Sequence, residues 1–255
     1  MNAEVILNLF QIVALAAALF AALRMLGTAK RSTRLIFFCF AVACFLFSDF
    51  YWLVYGLLRP DTRMPFAANE VCEWAVFLLL GASLNAKPAA GRDSARWEML
   101  GAALFTAANT ALWIAWSGEW MQDLFTGLCF GWYLCCLAAR LKRDGVFSRP
   151  EWLLAGLACL LLIAAQTATF FVPETAAASL DLFCCALLSA GALFLLVKTG
   201  RAMKNGRPVC PAFAALAWTM TAMYMSEGAF YLAAVLLCTL CILLMLLAIR
   251  KEAEA

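Results

Sequence analysis

Residues 5–34 read VILNLFQIVALAAALFAALRMLGTAKRSTR, an apolar run that ends in a cluster of basic residues. About 20 apolar residues are enough for a helix to cross the hydrocarbon core of a bilayer. The same unit, an apolar run closed by basic residues, recurs along the chain. The sequence therefore predicts an all-α, polytopic membrane protein.

The composition supports this class. Of the 255 residues, 66% are apolar and 14% are charged, whereas soluble domains have roughly 45–50% apolar and about 25% charged residues. No small-residue cleavage site follows the first segment, which is therefore expected to be a retained helix. We expect residues 1–255 to form a single integral membrane domain without a soluble domain.

Charged and turn-forming residues divide the chain into about nine predicted spans. Their approximate limits are 5–25, 35–57, 68–86, 98–116, 120–140, 152–171, 177–197, 209–225 and 229–249. Only Ser226-Glu227-Gly228 separates the last two, so eight spans with one kinked helix are the alternative.

The basic residues predict the orientation. Seventeen of the nineteen Lys and Arg residues fall into five clusters, which follow the first, third, fifth, seventh and ninth segments. Since basic residues favour the cytoplasmic side, the N-terminus is predicted outside and the C-terminus in the cytoplasm of a multi-pass cell-membrane protein. This orientation requires an odd number of spans and favours nine. The clusters are Arg24, Lys30, Arg31 and Arg34; Lys87, Arg92 and Arg96; Arg140, Lys142, Arg143 and Arg149; Lys198, Arg201, Lys204 and Arg207; and Arg250 and Lys251.

The acidic residues show the complementary pattern. With this topology the cytoplasmic side carries a net charge of +11, and the outer half carries −8. After the first segment, the chain is predicted to form four helical hairpins. Each rising helix carries a polar residue near its outer end, and each descending helix carries an acid early, so we interpret the hairpins as repeats of one unit. The outer half is therefore where a ligand site is predicted.

Asp49 is the first candidate site residue, because it lies roughly 12 Å below the outer end of its helix at 1.5 Å per residue. An ionised carboxylate at that depth is unfavourable unless it is paired or hydrated. Asp49 is therefore interpreted either as a proton or cation site, or as a protonated group that joins helices by hydrogen bonds.

Four further residues complete the predicted ligand-binding set with Asp49. Asp181 would supply a second charge, and Asn109, Asp123 and Gln166 would line the site. Asn109 and Gln166 have interhelical hydrogen bonding as the alternative reading. For Asp123, as for Glu70, Glu73 and Glu227, the alternative is capping of a helix N-terminus.

Outer-interface aromatic residues admit two interpretations. Anchoring at the membrane surface explains most of them, and an aromatic box for a cationic ligand is the alternative. The residues are Tyr51, Trp52, Tyr55, Trp74, Trp113, Trp116 and Trp120.

The residue inventory limits the chemistry. The chain has no histidine, so it cannot form the His-ligated metal sites or the Ser-His and Cys-His pairs of most membrane hydrolases. Most of the twelve cysteines lie inside apolar runs and are expected to be reduced and buried. We therefore expect no enzyme, no cofactor, no metal site and no nucleic-acid partner.

The function predicted from the sequence is binding or transport of a small cationic or zwitterionic solute, or of a proton, through the acidic outer cluster. The lipid bilayer is a further expected partner. The first alternative function is a sensor or assembly subunit, which would act through a membrane or cytoplasmic protein partner. A second alternative is an intramembrane lipid enzyme, which requires Asp49, Asp123 and Asp181 to converge.

Overall fold

The computed structural model describes residues 3–28, 32–59, 68–86, 94–204, 210–226 and 228–254, and these ranges contain nine helices and no strand. Each helix corresponds to one predicted segment, so the all-α prediction is confirmed. The helices are α1 (Ala3–Thr28), α2 (Thr33–Leu58), α3 (Ala68–Asn85), α4 (Arg96–Ser117), α5 (Trp120–Arg143), α6 (Arg149–Thr169), α7 (Glu174–Lys204), α8 (Cys210–Tyr224) and α9 (Gly228–Glu254).

The last two segments are separate helices. The α8 helix ends at Tyr224, and α9 begins at Gly228, whose φ of +58° lies in the left-handed region that glycine adopts without steric strain. The chain therefore forms two helices here and not one continuous kinked helix. Glu227 lies outside the described residues, as do Lys30, Arg31, Lys87, Arg92 and Arg207 of the basic clusters.

Each predicted hairpin packs as a pair: α2 with α3, α4 with α5, α6 with α7, and α8 with α9. The α1 helix packs against α2 and α9, and α3 packs against α5. The α8 helix contacts α5, α7 and α9, and it is buried on nearly every side over 210–221. By contrast, α4 and α6 keep most of their apolar side chains on the outside of the bundle. That distribution is expected of helices that face lipid tails.

Contacts between distant residues define two ends of the bundle. At the basic end, Arg34 at the start of α2 meets Ser83 near the end of α3 and Glu252 at the end of α9. At the acidic end, Glu73 near the start of α3 meets Tyr224 at the end of α8. The helices therefore alternate in direction, as the charge pattern predicts.

Seven of the nine described helices are long and apolar enough to cross a membrane. The exceptions are α3, which carries Asn69, Glu70 and Glu73, and α8, which at 15 residues spans only about 22 Å. Both helices nevertheless reach both ends of the bundle, since α3 contacts Arg34 and α8 supplies Cys210 to one end and Tyr224 to the other. Nine crossings and the outside position of the N-terminus remain predictions.

Reporter fusions test the orientation. We expect a fluorescent protein fused after residue 255 to fluoresce, because the C-terminus is predicted to be cytoplasmic. Alkaline phosphatase inserted in the turn after Ser117 is expected to be active, because that turn joins α4 to α5 at the acidic end. The reverse pattern would contradict the predicted topology.

All twelve cysteines are free thiols, and seven are buried as expected, whereas the other five are partly exposed: Cys44, Cys72, Cys129, Cys135 and Cys159. Glycines lie where helices approach each other most closely. A β-carbon built on Gly127 of α5 would lie 2.9 Å from Thr110 Cβ on α4, and one built on Gly81 of α3 would lie 2.6 Å from Trp132 Nε1 on α5. Small residues allow such close approach, which is the main source of helix attraction in a bilayer.

The variant Gly127→Ala is expected to destabilise the protein by about 1–3 kcal/mol, because the added methyl group would collide with the Thr110 side chain, most closely with its Oγ1. Gly156→Ala on α6 is the matched control, since a β-carbon there meets nothing within 4 Å. Thermal unfolding in detergent would measure both. Equal melting temperatures for the two variants would contradict the packing described for α4 and α5.

Candidate ligand-binding site

A cavity of about 70 Å³ lies at the acidic end between α1, α2, α3, α8 and α9. We call it the Asp49 cavity. Its polar lining residues are Asn8, Gln11, Ser48, Asp49, Asn69 and Glu73, and its aromatic lining residues are Phe45, Trp52 and Tyr231.

Helical spacing explains why these side chains share one space. Residues three or four positions apart lie on the same face of a helix. Asn8 and Gln11 are three apart on α1, and Asn69 and Glu73 are four apart on α3. On α2, Asp49 belongs to a face that also includes Phe45 and Trp52. The α1, α2 and α3 helices therefore each turn polar side chains toward the cavity, and Met223 of α8 with Tyr231, Leu232 and Val235 of α9 completes its lining.

Glu73 is held by two neighbouring helices. Ser48 of α2 donates a hydrogen bond from Oγ to Glu73 Oε1 at 3.2 Å. Tyr224 of α8 donates from its hydroxyl group to Glu73 Oε2 at 2.8 Å. Both carboxyl oxygens are engaged, so Glu73 has a fixed orientation beside Asp49.

Four buried polar atoms of the lining residues have no hydrogen-bond partner in the part of the chain that the structure describes. They are Asn8 Oδ1, Gln11 Nε2, Asp49 Oδ2 and Asn69 Oδ1. Three of the four are oxygen acceptors. A buried polar atom without a partner is unfavourable by about 1–3 kcal/mol, so a group that supplies N–H donors at this point would stabilise the protein.

The charge of the lining is one-sided. It includes the two carboxyl groups of Asp49 and Glu73, and none of the described residues around the cavity is Lys or Arg. None of the described residues that line the cavity therefore forms an ion pair with either carboxyl group. The arrangement is chemically suited to a cation with hydrogen-bond donors.

Of the five residues predicted to form the site, Asp49 lines the cavity and the other four do not. Asn109 is fully buried on α4, where its Nδ2 donates to the Phe105 carbonyl at 3.0 Å and its Oδ1 has no partner among the described residues. Gln166 on α6 contacts Cys184 on α7, which agrees with its interhelical interpretation. Asp181 is exposed on α7.

Asp123 lies in the first turn of α5 and contacts the end of α4. Ser117 Oγ donates a hydrogen bond to its Oδ2 and accepts one from the backbone N–H of Glu119 at 2.9 Å. The Asp123 carboxyl thus accepts from a side-chain hydroxyl, and the α5 N-terminus has no side-chain capping hydrogen bond, so neither the capping interpretation nor a place in the cavity describes this residue. The predicted convergence of all five residues is therefore absent in this conformation.

The capping interpretation does not describe Glu73, whose carboxyl group lies between α2 and α8 instead of folding back on its own helix. Glu70 is buried one turn earlier and accepts a hydrogen bond from Gln122 of α5 at 3.4 Å. These two acids therefore connect α3 to three other helices. The physical reason is that a carboxyl group inside the bundle can be satisfied by neighbouring hydroxyl and amide donors.

Sequence reasoning missed Asn8, Gln11 and Asn69 as site residues. A signal was available for the first two, because they are the only residues that are not apolar between positions 5 and 23 and they lie on one helix face. No comparable signal identified Asn69 or the partnership of Tyr224 with Glu73. That pairing depends on which helices become neighbours.

The outer aromatic residues divide between the two interpretations. Trp116 and Trp120 are 70% and 59% exposed, as membrane-surface anchors are. Trp74 instead donates a hydrogen bond to Thr126 on α5 at 2.9 Å, and Trp113 packs on the ring of Tyr224 at 5.4 Å. Trp52 alone of the predicted set lines the cavity among the described residues.

Two further findings bear on the site. No group of three or more Cys, Asp and Glu residues within the described ranges is arranged to hold a metal ion. No protein-family model, curated protein or solved structure matches this chain. The function must therefore be argued from the cavity itself.

Tyr224→Phe tests the hydrogen bond to Glu73. We expect a loss of stability of about 1–2 kcal/mol, because the variant removes the donor and leaves one carboxyl oxygen of Glu73 unsatisfied. The control is Tyr51→Phe, which keeps the ring stacked on Tyr55 and removes a hydroxyl group outside the cavity lining. Thermal unfolding of both proteins in detergent provides the measurement, and unchanged stability of Tyr224→Phe would refute the proposed bridge.

Proposed function

We propose that this protein binds a small organic cation of the ammonium class in the Asp49 cavity and transports it across the cell membrane. The observation that carries the proposal is the excess of unpartnered acceptors. Asn8 Oδ1, Asp49 Oδ2 and Asn69 Oδ1 are buried around one cavity, and no donor from the described residues satisfies them.

An ammonium group matches this lining. It supplies up to three N–H donors and a positive charge, and charge-assisted hydrogen bonds to a carboxylate are roughly twice as strong as neutral ones. The Asp49 carboxyl is the natural counter-ion because it retains an unpartnered oxygen, whereas both oxygens of Glu73 are engaged. The rings of Phe45, Trp52 and Tyr231 add a surface that attracts organic cations.

The volume of the cavity restricts the size of the cation. A single water needs roughly 10–15 Å³ of comparable space, so about 70 Å³ suits a ligand of a few non-hydrogen atoms. Methylammonium is therefore a suitable probe. A bulky quaternary ammonium ion lacks both the N–H donors and the compactness that the lining requires.

The other hypotheses have less support. The lipid-enzyme hypothesis needed Asp49, Asp123 and Asp181 together, and neither Asp123 nor Asp181 lines the cavity of Asp49. A sensor or assembly subunit would use the same ligand site only if a partner protein responded to ligand binding there. Co-purification of a stoichiometric protein partner would favour that alternative over transport.

Asp49→Asn is expected to abolish binding of methylammonium, because the amide keeps the shape of the side chain but removes its charge. Binding would be measured as thermal stabilisation of the purified protein. For the unmodified protein we expect an increase of about 5 °C or more at saturating methylammonium. Asp181→Asn is the matched control: it removes the same charge from an exposed site on α7 and should leave the stabilisation intact.

Uptake of labelled methylammonium into proteoliposomes provides the second readout. The unmodified protein and Asp181→Asn should take it up, and Asp49→Asn should not. Equal stabilisation of Asp49→Asn and the unmodified protein by methylammonium would contradict the proposal that Asp49 is the counter-ion. Loss of binding in both Asp49→Asn and Asp181→Asn would instead favour the site predicted from the sequence.

A further inference from the structure

A buried polar group ties three cavity-lining helices together at the opposite end of the bundle. Arg34 at the start of α2 is only 4% exposed. Its Nε donates to the Ser83 carbonyl at 3.1 Å, its Nη2 to the Leu84 carbonyl at 3.5 Å, and its Nη1 pairs with Glu252 Oε2 at 2.5 Å. Ser83 Oγ returns a hydrogen bond to the Arg34 carbonyl at 3.1 Å. The guanidinium group thus fastens α2 to α3 and to α9.

A second group adjoins the first. Arg140 near the end of α5 pairs with Asp144 Oδ2 at 2.7 Å, and Cys210 Sγ at the start of α8 lies 3.0 Å from the same oxygen. Cys210 also interacts electrostatically with both Arg34 and Arg140, so the two groups are neighbours. We call these residues together the basic-end network, comprising Arg34, Ser83, Arg140, Asp144, Cys210 and Glu252.

The network lies far from the cavity along the same helices. Fifteen residues separate Arg34 from Asp49, which corresponds to about 22 Å along α2. Fully buried side chains, including Phe38, Phe77, Phe213 and Met245, fill the interior in one continuous apolar cluster. In the described residues, the molecule is therefore packed between the cavity and the basic end.

Four of the five helices that line the cavity meet in the network, together with α5, which contributes Arg140 and does not line the cavity. The α2, α3, α8 and α9 helices all line the Asp49 cavity, and all contribute to the network. The ion pairs Lys142–Glu98 and Lys198–Glu151 instead join α5 to α4 and α7 to α6. None of those four helices contributes a residue to the cavity lining.

We infer that the basic-end network is a gate that closes the route from the Asp49 cavity to the cytoplasmic side. This inference rests on the proposed function, because a transported cation must leave the cavity at that end. A site built between packed helices is reached alternately from the two sides when one set of helices moves against the other. The polar contacts of the network can exchange partners with water during such a movement, so separation of α8 from α5 would expose Cys210.

Cys210 is a native reporter of this gate, because its side chain is fully buried in the closed state. The experiment measures the labelling rate of Cys210 by N-ethylmaleimide in purified protein, resolved by peptide mass spectrometry. Glu252→Gln is expected to raise the rate about tenfold or more, because the substitution leaves the buried Arg34 without its charged partner. Glu98→Gln, which breaks an ion pair between α4 and α5, should leave the rate unchanged.

Cys238 distinguishes gating from general loosening. It is fully buried in α9, away from the network, and its labelling should stay constant in Glu252→Gln. An unchanged Cys210 rate, or a parallel rise at Cys238, would overturn the gate. Both outcomes are independent of whether methylammonium binds, so they are distinct from a failure of the proposed function.

The unmodified protein provides a second arm if Glu252→Gln does not fold. In proteoliposomes, saturating methylammonium should change the labelling rate of Cys210 and leave constant that of Cys184, which is buried between α6 and α7 and lines neither the cavity nor the network. Demonstrated methylammonium binding without any change at Cys210 would overturn the inference.

Discussion

The hydrogen bonds that converge on the Glu73 carboxyl group are the interaction on which the acidic end depends. Ser48 and Tyr224 donate to its two oxygens, and Tyr224 is 151 residues away in sequence. The contact joins the second, third and eighth helices at one point. It fixes one carboxyl group in place and leaves Asp49 beside it with an unpartnered oxygen. The cavity and its proposed selectivity follow from that asymmetry.

Polar groups inside an apolar helix bundle also explain its architecture. Two helices are less suited than the others to cross a bilayer, and both are central to the site. The α3 helix carries its acids toward neighbouring helices, and α8 is short and almost fully buried. The other seven described helices have the length and composition that a membrane crossing requires. On the proposed function, the acidic end holds the ligand and the opposite end is closed by the ion pairs of the basic-end network.

The fold could be predicted well from the sequence, and the site only in part. Nine apolar runs separated by charges give nine helices, because hydrophobic length and charge are local properties of the chain. Asp49 was identifiable because a carboxylate within an apolar run is locally anomalous. Asn109, Asp123, Gln166 and Asp181 do not line the cavity that Asp49 lines. Similar positions in repeated hairpins do not determine which helices become neighbours. Asn8, Gln11 and Glu73 meet Asp49 only because α1 and α3 both pack on α2.

The central claim is that the Asp49 cavity is a cation site, and the most direct measurement is a high-resolution cryo-EM map of the protein in lipid nanodiscs with and without methylammonium. We predict density that appears only with methylammonium and lies within about 3 Å of Asp49 Oδ2, the distance of an N–H···O hydrogen bond. Identical maps with the side chains of Asn8, Asp49 and Asn69 closed onto one another would contradict the claim.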